Sequence, residues 1–178
     1  MSPETLTAMK HNMFTPGNYF YNGIGHVTVD YGKVITYGYS EYVKEIEEEL
    51  AGMRVSDANY CKKHALLKAM LISLRAVIRY AKRYSRLAKE MAEKEQNGTR
   101  KAELLKISEN CDRVPESGAR NFYEACQSFW FIQMLIQVES SGHSISPGRF
   151  DQYMYPFYKK SLDAGMTREQ AQGYIDCI

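Results

Sequence analysis

The sequence lacks a long apolar run, an excess of one charge and a signal-peptide core. No apolar stretch approaches the ~20 residues that a membrane-spanning helix needs, and the first twelve residues are polar. With 23 basic and 21 acidic residues, the net charge of +2 creates no overall attraction to nucleic acid or anionic lipid. These absences predict a cytoplasmic protein without nucleic-acid or membrane partners.

Closely spaced cysteines and metal-ligating histidines are also missing. The four cysteines form no C-x-x-C pair, which argues against a zinc ribbon and indicates reduced, mostly buried thiols. One of them could be reactive, but a small core residue is the preferred interpretation. The four histidines show neither H-E-x-x-H nor another ligand spacing, so no metal site is expected. The cysteines are Cys61, Cys111, Cys126 and Cys177.

Helical periodicity dominates what is present. The length of 178 residues and the hydrophobic content of 44% suit one compact unit or a piece of a larger one. Apolar spacing, caps and breakers predict a mainly α chain, with a short strand or extended segment over 19–29. The expected helices are 2–14, 30–50, 56–97, 101–110, 119–138, 150–162 and 167–178.

The longest of these helices carries a basic stripe. That stripe could bind nucleic acid or phosphate, but the helix over 30–50 is rich in glutamate and offers a partner of opposite sign. Aromatic residues are not interleaved with the bases as single-strand binders require. A solvated or paired face is therefore the preferred interpretation. The stripe consists of Arg75, Arg79, Lys82, Arg83 and Arg86.

The segment 119–138, which includes NFYEACQSFWFIQMLIQV, is apolar on nearly all sides. A helix of this kind is buried within a sizeable protein. The last residues, GYIDCI, stop inside an amphipathic helix without a capping residue. Both features lead us to expect a piece of a longer protein.

Two glycine-flanked stretches contain the candidate binding residues. His26 stands in GIGHV and His143 in SSGHSISPGRF, each in an extended segment close to a helix start. GIGHV lacks the third glycine of a dinucleotide fingerprint. His143 and Ser144 are adjacent and point to opposite sides, so they would not form a nucleophile pair with each other. A hydrogen-bonding wall for a polar ligand and a purely structural polar turn both remain open.

Three stretches of this sequence resemble a known family. ESSGHSISPGRFDQYMYPFY, FYEACQSFWFIQMLIQ and GNYFYNGIGHVTVDYGKV are similar to the N-terminal half of the pyruvate formate-lyase-like domain of glycyl radical enzymes. The resemblance covers 17–178 and is strongest to the branch of glycerol and propanediol dehydratases, choline trimethylamine-lyase and hydroxyproline dehydratase. It implies that 1–178 is one partial domain, the helical portion with short strands of a ten-stranded α/β barrel.

The resemblance also implies a radical mechanism. A radical stored on a glycine passes to a cysteine inside the barrel, and the thiyl removes a substrate hydrogen while a glutamate acts as base. A partner activase that uses S-adenosylmethionine and an iron-sulfur cluster installs the radical, so no cofactor is expected on this chain itself. The implied partners are a small-molecule substrate, the activase, the remainder of the barrel and a second copy in a homodimer.

Carried over to this chain, His26, His143 and Ser144 match the positions that hydrogen-bond substrate hydroxyls in diol dehydratases. Asp30 is interpreted as a helix N-cap, with pocket contact as the alternative. Arg149 and Asp151 are expected to brace the loop rather than to touch substrate. No residue of this chain is assigned a catalytic role.

The sequence contains neither the thiyl motif Gly-Cys-Val-Glu nor the glycyl motif Arg-Val-x-Gly-Tyr. We therefore expect a fragment of a dehydratase or lyase acting on a small diol, inactive alone, that supplies pocket residues. His26 favours a diol or hydroxyproline over choline, whose cationic head group would prefer a carboxylate. The open alternatives are a choline lyase or hydroxyproline dehydratase type, and a non-catalytic truncated chain that binds a ligand or a partner protein.

Overall fold

The computed structural model describes residues 2–13, 26–140 and 144–178, and within these ranges the chain is helical with no β-strand. One isolated parallel bridge joins Val27 to Ile145. The expected mainly α character is confirmed, whereas the short strands are not found in the ranges described, and most of 19–29 lies outside them. The helices are α1 Pro3–Lys10, α2 Tyr31–Tyr37, α3 Tyr39–Gly52, α4 Tyr60–Lys94, α5 Gly98–Arg113, α6 Phe122–Ser140, α7 Phe150–Asp163 and α8 Arg168–Ile175.

Side-chain caps begin several of these helices. The Ser2 hydroxyl accepts from the Thr5 amide ahead of α1, and the Asn97 side chain accepts from the Arg100 amide ahead of α5. At α8, Thr167 and Gln170 form a reciprocal capping box. These helices begin within three residues of the starts expected at 2, 101 and 167.

The prediction of a single helix over 30–50 is wrong, because Gly38 divides this stretch into α2 and α3. Gly38 has φ +82° and ψ 170°, which ends α2. The chain turns there because the amide of Tyr39 donates to the carbonyl of Pro115 at 2.8 Å and that of Ser40 to the carbonyl of Glu116 at 2.9 Å. Contacts with residues almost 80 positions away therefore break the local helical pattern.

The long helix α4 has 35 residues, about 52 Å at 1.5 Å per residue, and forms an antiparallel pair with α5. The Ser108 hydroxyl donates to the Ser85 carbonyl at 2.9 Å between the two helices. The acidic helix α3 lies beside α4, where Glu47 pairs with Arg75 and Glu49 with Lys63. These contacts confirm that part of the basic helix is paired by glutamates.

Helix α6 lies between two apolar clusters. Phe129 belongs to a core shared with α2, α7 and α8, and Phe131 packs against Ala81 of α4 and Cys111 of α5. Burying a phenylalanine contributes about 1.5–3 kcal/mol, which explains an apolar sequence on both helix faces. The expected burial on all sides holds only partly, since Trp130 is 40% and Val138 75% exposed.

The cysteines divide into two classes. Cys111 and Cys126 are buried, and burial raises the pKa of their thiols to about 11 and about 12. Cys61 and Cys177 are exposed, which corrects the expectation of mostly buried thiols. All four are free, as predicted.

A buried carboxylate lies at the start of α6. Glu124 is fully buried and accepts from the Arg120 amide at 2.7 Å and from the Arg120 guanidinium at 2.6 Å, with Arg113 at 3.5 Å. Burial acts to raise the pKa of Glu124, but the hydrogen bonds and the charges of both arginines lower it below its ordinary value. Glu124 is therefore held ionised.

Candidate functional site

The parallel bridge brings together the two glycine-flanked segments identified in the sequence. The amide of Val27 donates to the carbonyl of Ser144 at 3.2 Å, and the amide of Ser146 donates to the carbonyl of Val27 at 2.9 Å. His26 and Ser144 therefore lie on neighbouring backbone, although 118 positions of sequence separate them. We define the bridge site as residues 26–30 and 144–149.

Local geometry sets the ends of both segments. Asp30 caps α2 by accepting from the Lys33 amide at 3.1 Å, so the extended segment stops there. In the other segment Gly148 has φ +66°, and a Cβ at this position would lie 2.6 Å from Cγ2 of Thr28. A larger residue would be strained at this positive φ and would have to displace the Thr28 methyl group, so glycine suits the close approach of the two segments.

The side chain of Gln133 on α6 connects the bridge site to the core. Gln133 donates through Nε2 to the carbonyl of Ile145 at 3.2 Å, and its Oε1 accepts from the hydroxyl of Tyr31. The Tyr31 ring lies 4.9 Å from that of Phe129 and 5.9 Å from that of Tyr153, centroid to centroid. The bridge site therefore rests on the aromatic part of the main core.

Residues 1–178 match the family described as pyruvate formate lyase-like. The chain belongs to this family. A solved structure concerning 1,2-propanediol dehydration in Roseburia inulinivorans is 58% identical, with a TM-score of 0.92 over 99% of this chain and 22% of its own. The glycerol-bound, B12-independent glycerol dehydratase from Clostridium butyricum is 48% identical, with a TM-score of 0.90 over 99% of this chain and 22% of its own.

A glycyl radical enzyme from Archaeoglobus fulgidus is 34% identical, with a TM-score of 0.82 over 97% of this chain and 23% of its own. The resemblance expected from the sequence is thus confirmed for this member of the pyruvate formate lyase-like family. Glycyl radical enzymes have a barrel fold, of which the described residues show a helical part. The chain spans about a fifth of the length of the relatives it matches.

The structure describes His26 and Ser144 but not the third predicted substrate-binding residue. His26 is exposed, and Ser144 is half-buried with φ +56°. His143 lies outside the described residues. Asp30 acts as the expected N-cap, and its possible pocket contact stays a prediction. The substrate-binding roles of His26, His143 and Ser144 also stay predictions.

Arg149 and Asp151 are both largely exposed and pair with each other, Nε to Oδ1, at 3.4 Å. The side chain of Gln152 donates to Asp151 at 2.6 Å, and this bond together with Arg149 lowers the pKa of the Asp151 carboxyl. These contacts lie within the loop and the first turn of α7. The expectation that the two residues brace the loop stays a prediction consistent with this pairing.

Gln133, Tyr31 and Tyr153 were missed by the sequence analysis. The Tyr153 hydroxyl donates to the carbonyl of Pro147 at 2.9 Å, so it holds the same loop from its other end. In the sequence each of these residues reads as one more position of a helical face. Only the pairing of distant segments shows that they converge on the bridge site.

A cavity of about 700 Å³ lies away from the bridge site. It is bounded by α5, α6 and α8, and includes the stacked rings of Tyr123 and Tyr174, 4.5 Å apart. None of the predicted site residues lines it. In the described ranges no three His, Cys, Asp or Glu side chains cluster as metal ligands do. No helix there is long and apolar enough to cross a membrane.

Proposed function

We propose that this chain is part of a glycyl radical dehydratase or lyase that removes water from a small diol. In this proposal, His26, His143 and Ser144 line the substrate pocket. The observation that carries the proposal is the parallel bridge, which brings the segment of His26 within hydrogen-bonding distance of the segment of Ser144. The family relationship and the likeness to diol-related enzymes support it.

The proposed residues suit the chemistry of a diol. Each substrate hydroxyl both donates and accepts a hydrogen bond, and histidine and serine side chains can do both in return. Two hydroxyls held from neighbouring backbone segments fix the orientation of the carbon that loses its hydrogen. The net reaction converts the diol into an aldehyde and water, and the pocket residues bind and orient the substrate without entering the bond changes.

The radical parts of the reaction are assigned to other regions of the complete protein. This sequence contains neither the thiyl nor the glycyl motif, so we expect the isolated chain to be inactive. In the proposal, an activase that uses S-adenosylmethionine and an iron-sulfur cluster installs the glycyl radical. The complete protein, including the rest of the barrel, is proposed to work as a homodimer.

The test uses the complete protein that carries this chain, activated under anaerobic conditions by its own activase. Aldehyde release is measured with 1,2-propanediol and glycerol, and product formation with choline and trans-4-hydroxy-L-proline. We expect turnover of a diol. Because each lost hydrogen bond to substrate costs about 1–3 kcal/mol, His26→Gln and Ser144→Ala are expected to lower kcat/KM roughly five- to 150-fold.

His64→Gln is the matched control. His64 lies on α4, where its ring stacks on Tyr60 at 5.4 Å, away from the bridge site. Diol turnover should be the same as in the wild type. If His64→Gln lowers kcat/KM as much as His26→Gln, the assigned role of His26 is wrong. An activated, well-folded protein that converts neither diol would overturn the diol proposal, and conversion of none of the four compounds would favour the non-catalytic alternative.

A further inference from the structure

The orientation of the Gln133 side chain is determined by its partners. The carbonyl of Ile145 can only accept a hydrogen bond, so the amide nitrogen of Gln133 must face it, at 3.2 Å. The amide oxygen then faces Tyr31, whose hydroxyl must be the donor. A directed chain of hydrogen bonds therefore runs from Tyr31 through Gln133 to the bridge site.

The first donor in this chain is itself held firmly. Tyr31 is only 1% exposed, and its ring packs between those of Phe129 and Tyr153. Burial raises the pKa of the Tyr31 hydroxyl, so it remains protonated and able to donate at physiological pH. Gln133 consequently has one fixed neighbour in the core and one in the bridge site.

The backbone next to Ile145 needs such support. Ser144 has φ +56°, a left-handed conformation that is unfavourable for a non-glycine residue. Its carbonyl accepts from the Val27 amide, and the next carbonyl, that of Ile145, accepts from Gln133. The two bonds hold the peptide groups that follow Ser144, and unusual backbone conformations persist where neighbouring contacts determine them.

We propose that Gln133 is a positioning residue: it transmits the fixed place of Tyr31 to the Ile145 carbonyl and so sets Ser144 relative to His26. This inference rests on the proposed function, because the placement of Ser144 and His26 matters for a substrate that bridges them. Gln133 acts through the backbone and does not itself contact substrate.

The substitution Gln133→Glu separates the two bonds of this residue. A carboxylate can still accept from Tyr31, but it cannot donate to the Ile145 carbonyl and is repelled by it. Protonation of the carboxyl restores one donor. The defect should therefore be greater at pH 8 than at pH 5, a dependence that a simple packing defect would not show.

The experiment compares Gln133→Glu, Tyr31→Phe and the control Gln127→Glu in the complete protein. Gln127 lies on the same helix but lines the cavity between α5, α6 and α8. Amide hydrogen exchange is followed at Val27 and Ser146, whose amides form the bridge. Steady-state kinetics with 1,2-propanediol give KM and kcat separately.

For Gln133→Glu at pH 8 we expect bridge exchange and KM to rise roughly five- to tenfold, with a smaller change in kcat, as the loss of one hydrogen bond implies. The exchange ratio to wild type should fall as the pH is lowered to 5. Tyr31→Phe should raise bridge exchange and KM about threefold at both pH values, because it introduces no titratable group, and it provides the test if Gln133→Glu does not fold. Gln127→Glu should match wild type.

Unchanged bridge exchange in Gln133→Glu would overturn the inference, as would an equal change in Gln127→Glu. Faster exchange with an unchanged KM would show that Gln133 supports the loop without positioning substrate groups, which also overturns it. A wild-type protein that converts no diol would remove the proposed function, while the exchange comparison would still decide whether Gln133 holds the 144–146 segment.

Discussion

Gly38→Ala tests the junction that divides α2 from α3. A Cβ added at Gly38 would lie 2.3 Å from the carbonyl oxygen of Glu116 and 2.5 Å from the carbonyl carbon of Ser117. Both neighbours are backbone atoms, which cannot rotate away as a flexible side chain could. The substitution must therefore move one of the two segments or force the chain out of its present course.

The expected cost is the sum of two contributions. Gly38 has φ +82° and ψ 170°, a region almost confined to glycine, and an alanine there costs about 1–3 kcal/mol. Separating the segments also strains or breaks the hydrogen bonds from Tyr39 to Pro115 and from Ser40 to Glu116, each worth about 1 kcal/mol. Together they predict a loss of about 3–5 kcal/mol in the free energy of opening this junction.

Amide exchange at Tyr39 and Ser40 in the complete protein measures that free energy directly, and the thermal unfolding midpoint reports the global effect. Gly52→Ala is the matched control, because no described atom beyond its chain neighbours and its own helical backbone lies within 4 Å of a Cβ at that position. It should be neutral or stabilising by up to about 1 kcal/mol. If Gly38→Ala opens the junction no more readily than Gly52→Ala, the steric reasoning is wrong.

Two further predictions concern buried ionisable groups. Glu124→Gln should lower the free energy of unfolding by only about 1–2 kcal/mol near neutral pH, because its partner Arg120 is 56% exposed and screened by solvent. Since folding lowers the pKa of Glu124, this loss should shrink as the pH falls below about 4.5. A melting curve that the substitution leaves unchanged at pH 7 would contradict the ion pair. A thiol reagent at pH 8 should label Cys61 quickly and Cys126 only after unfolding. Equal labelling of both thiols in the native protein would refute the assigned burial. Because folding raises the pKa of Cys126 from 9.0 to about 12, the stability that the protonated thiol contributes is complete below about pH 9 and is lost as the pH rises towards 12.

Most of the helices could be predicted from helical periodicity and from capping residues. The long helix follows from three- and four-residue spacing without a breaker before Gly98, and Asn97 and Thr167 mark the starts of α5 and α8. The pairing of Glu47 with Arg75 follows from two adjacent helices of opposite charge. These features depend on residues within one or two neighbouring elements, so the sequence pattern contains the information.

Long-range contacts determine what the pattern could not supply. Gly38 reads as a tolerable glycine within a helix until the backbone of Glu116 is placed beside it. Gln133 reads as one polar position in an apolar helix, yet it joins Tyr31, 102 positions earlier, to Ile145. The exposure of the Trp130 side chain could not be predicted either, because periodicity shows that a helix face is apolar but does not show which element covers it.

The candidate site divides in the same way. Glycine-flanked histidine segments and the family resemblance single out His26 and Ser144 from the sequence. Their adjacency depends on one parallel bridge, between Val27 and Ile145, that no local signal predicts. Sequence reasoning thus named the candidate residues, whose substrate-binding roles stay predictions, but it did not reveal the contacts that hold their backbone in place.

The cavity between α5, α6 and α8 and the bridge site lie in different parts of this molecule, and the proposed substrate site is placed at the bridge site because of its polar groups. The cavity of about 700 Å³ contains charged groups on α5, but Arg100 already pairs with Glu103 at 2.8 Å and Lys106 with Glu109 at 3.1 Å. The stacked rings of Tyr123 and Tyr174 add apolar surface to its lining. At the bridge site, by contrast, two distant backbone segments are joined by hydrogen bonds and are held by Gln133 from the core, so polar groups from both segments lie close together.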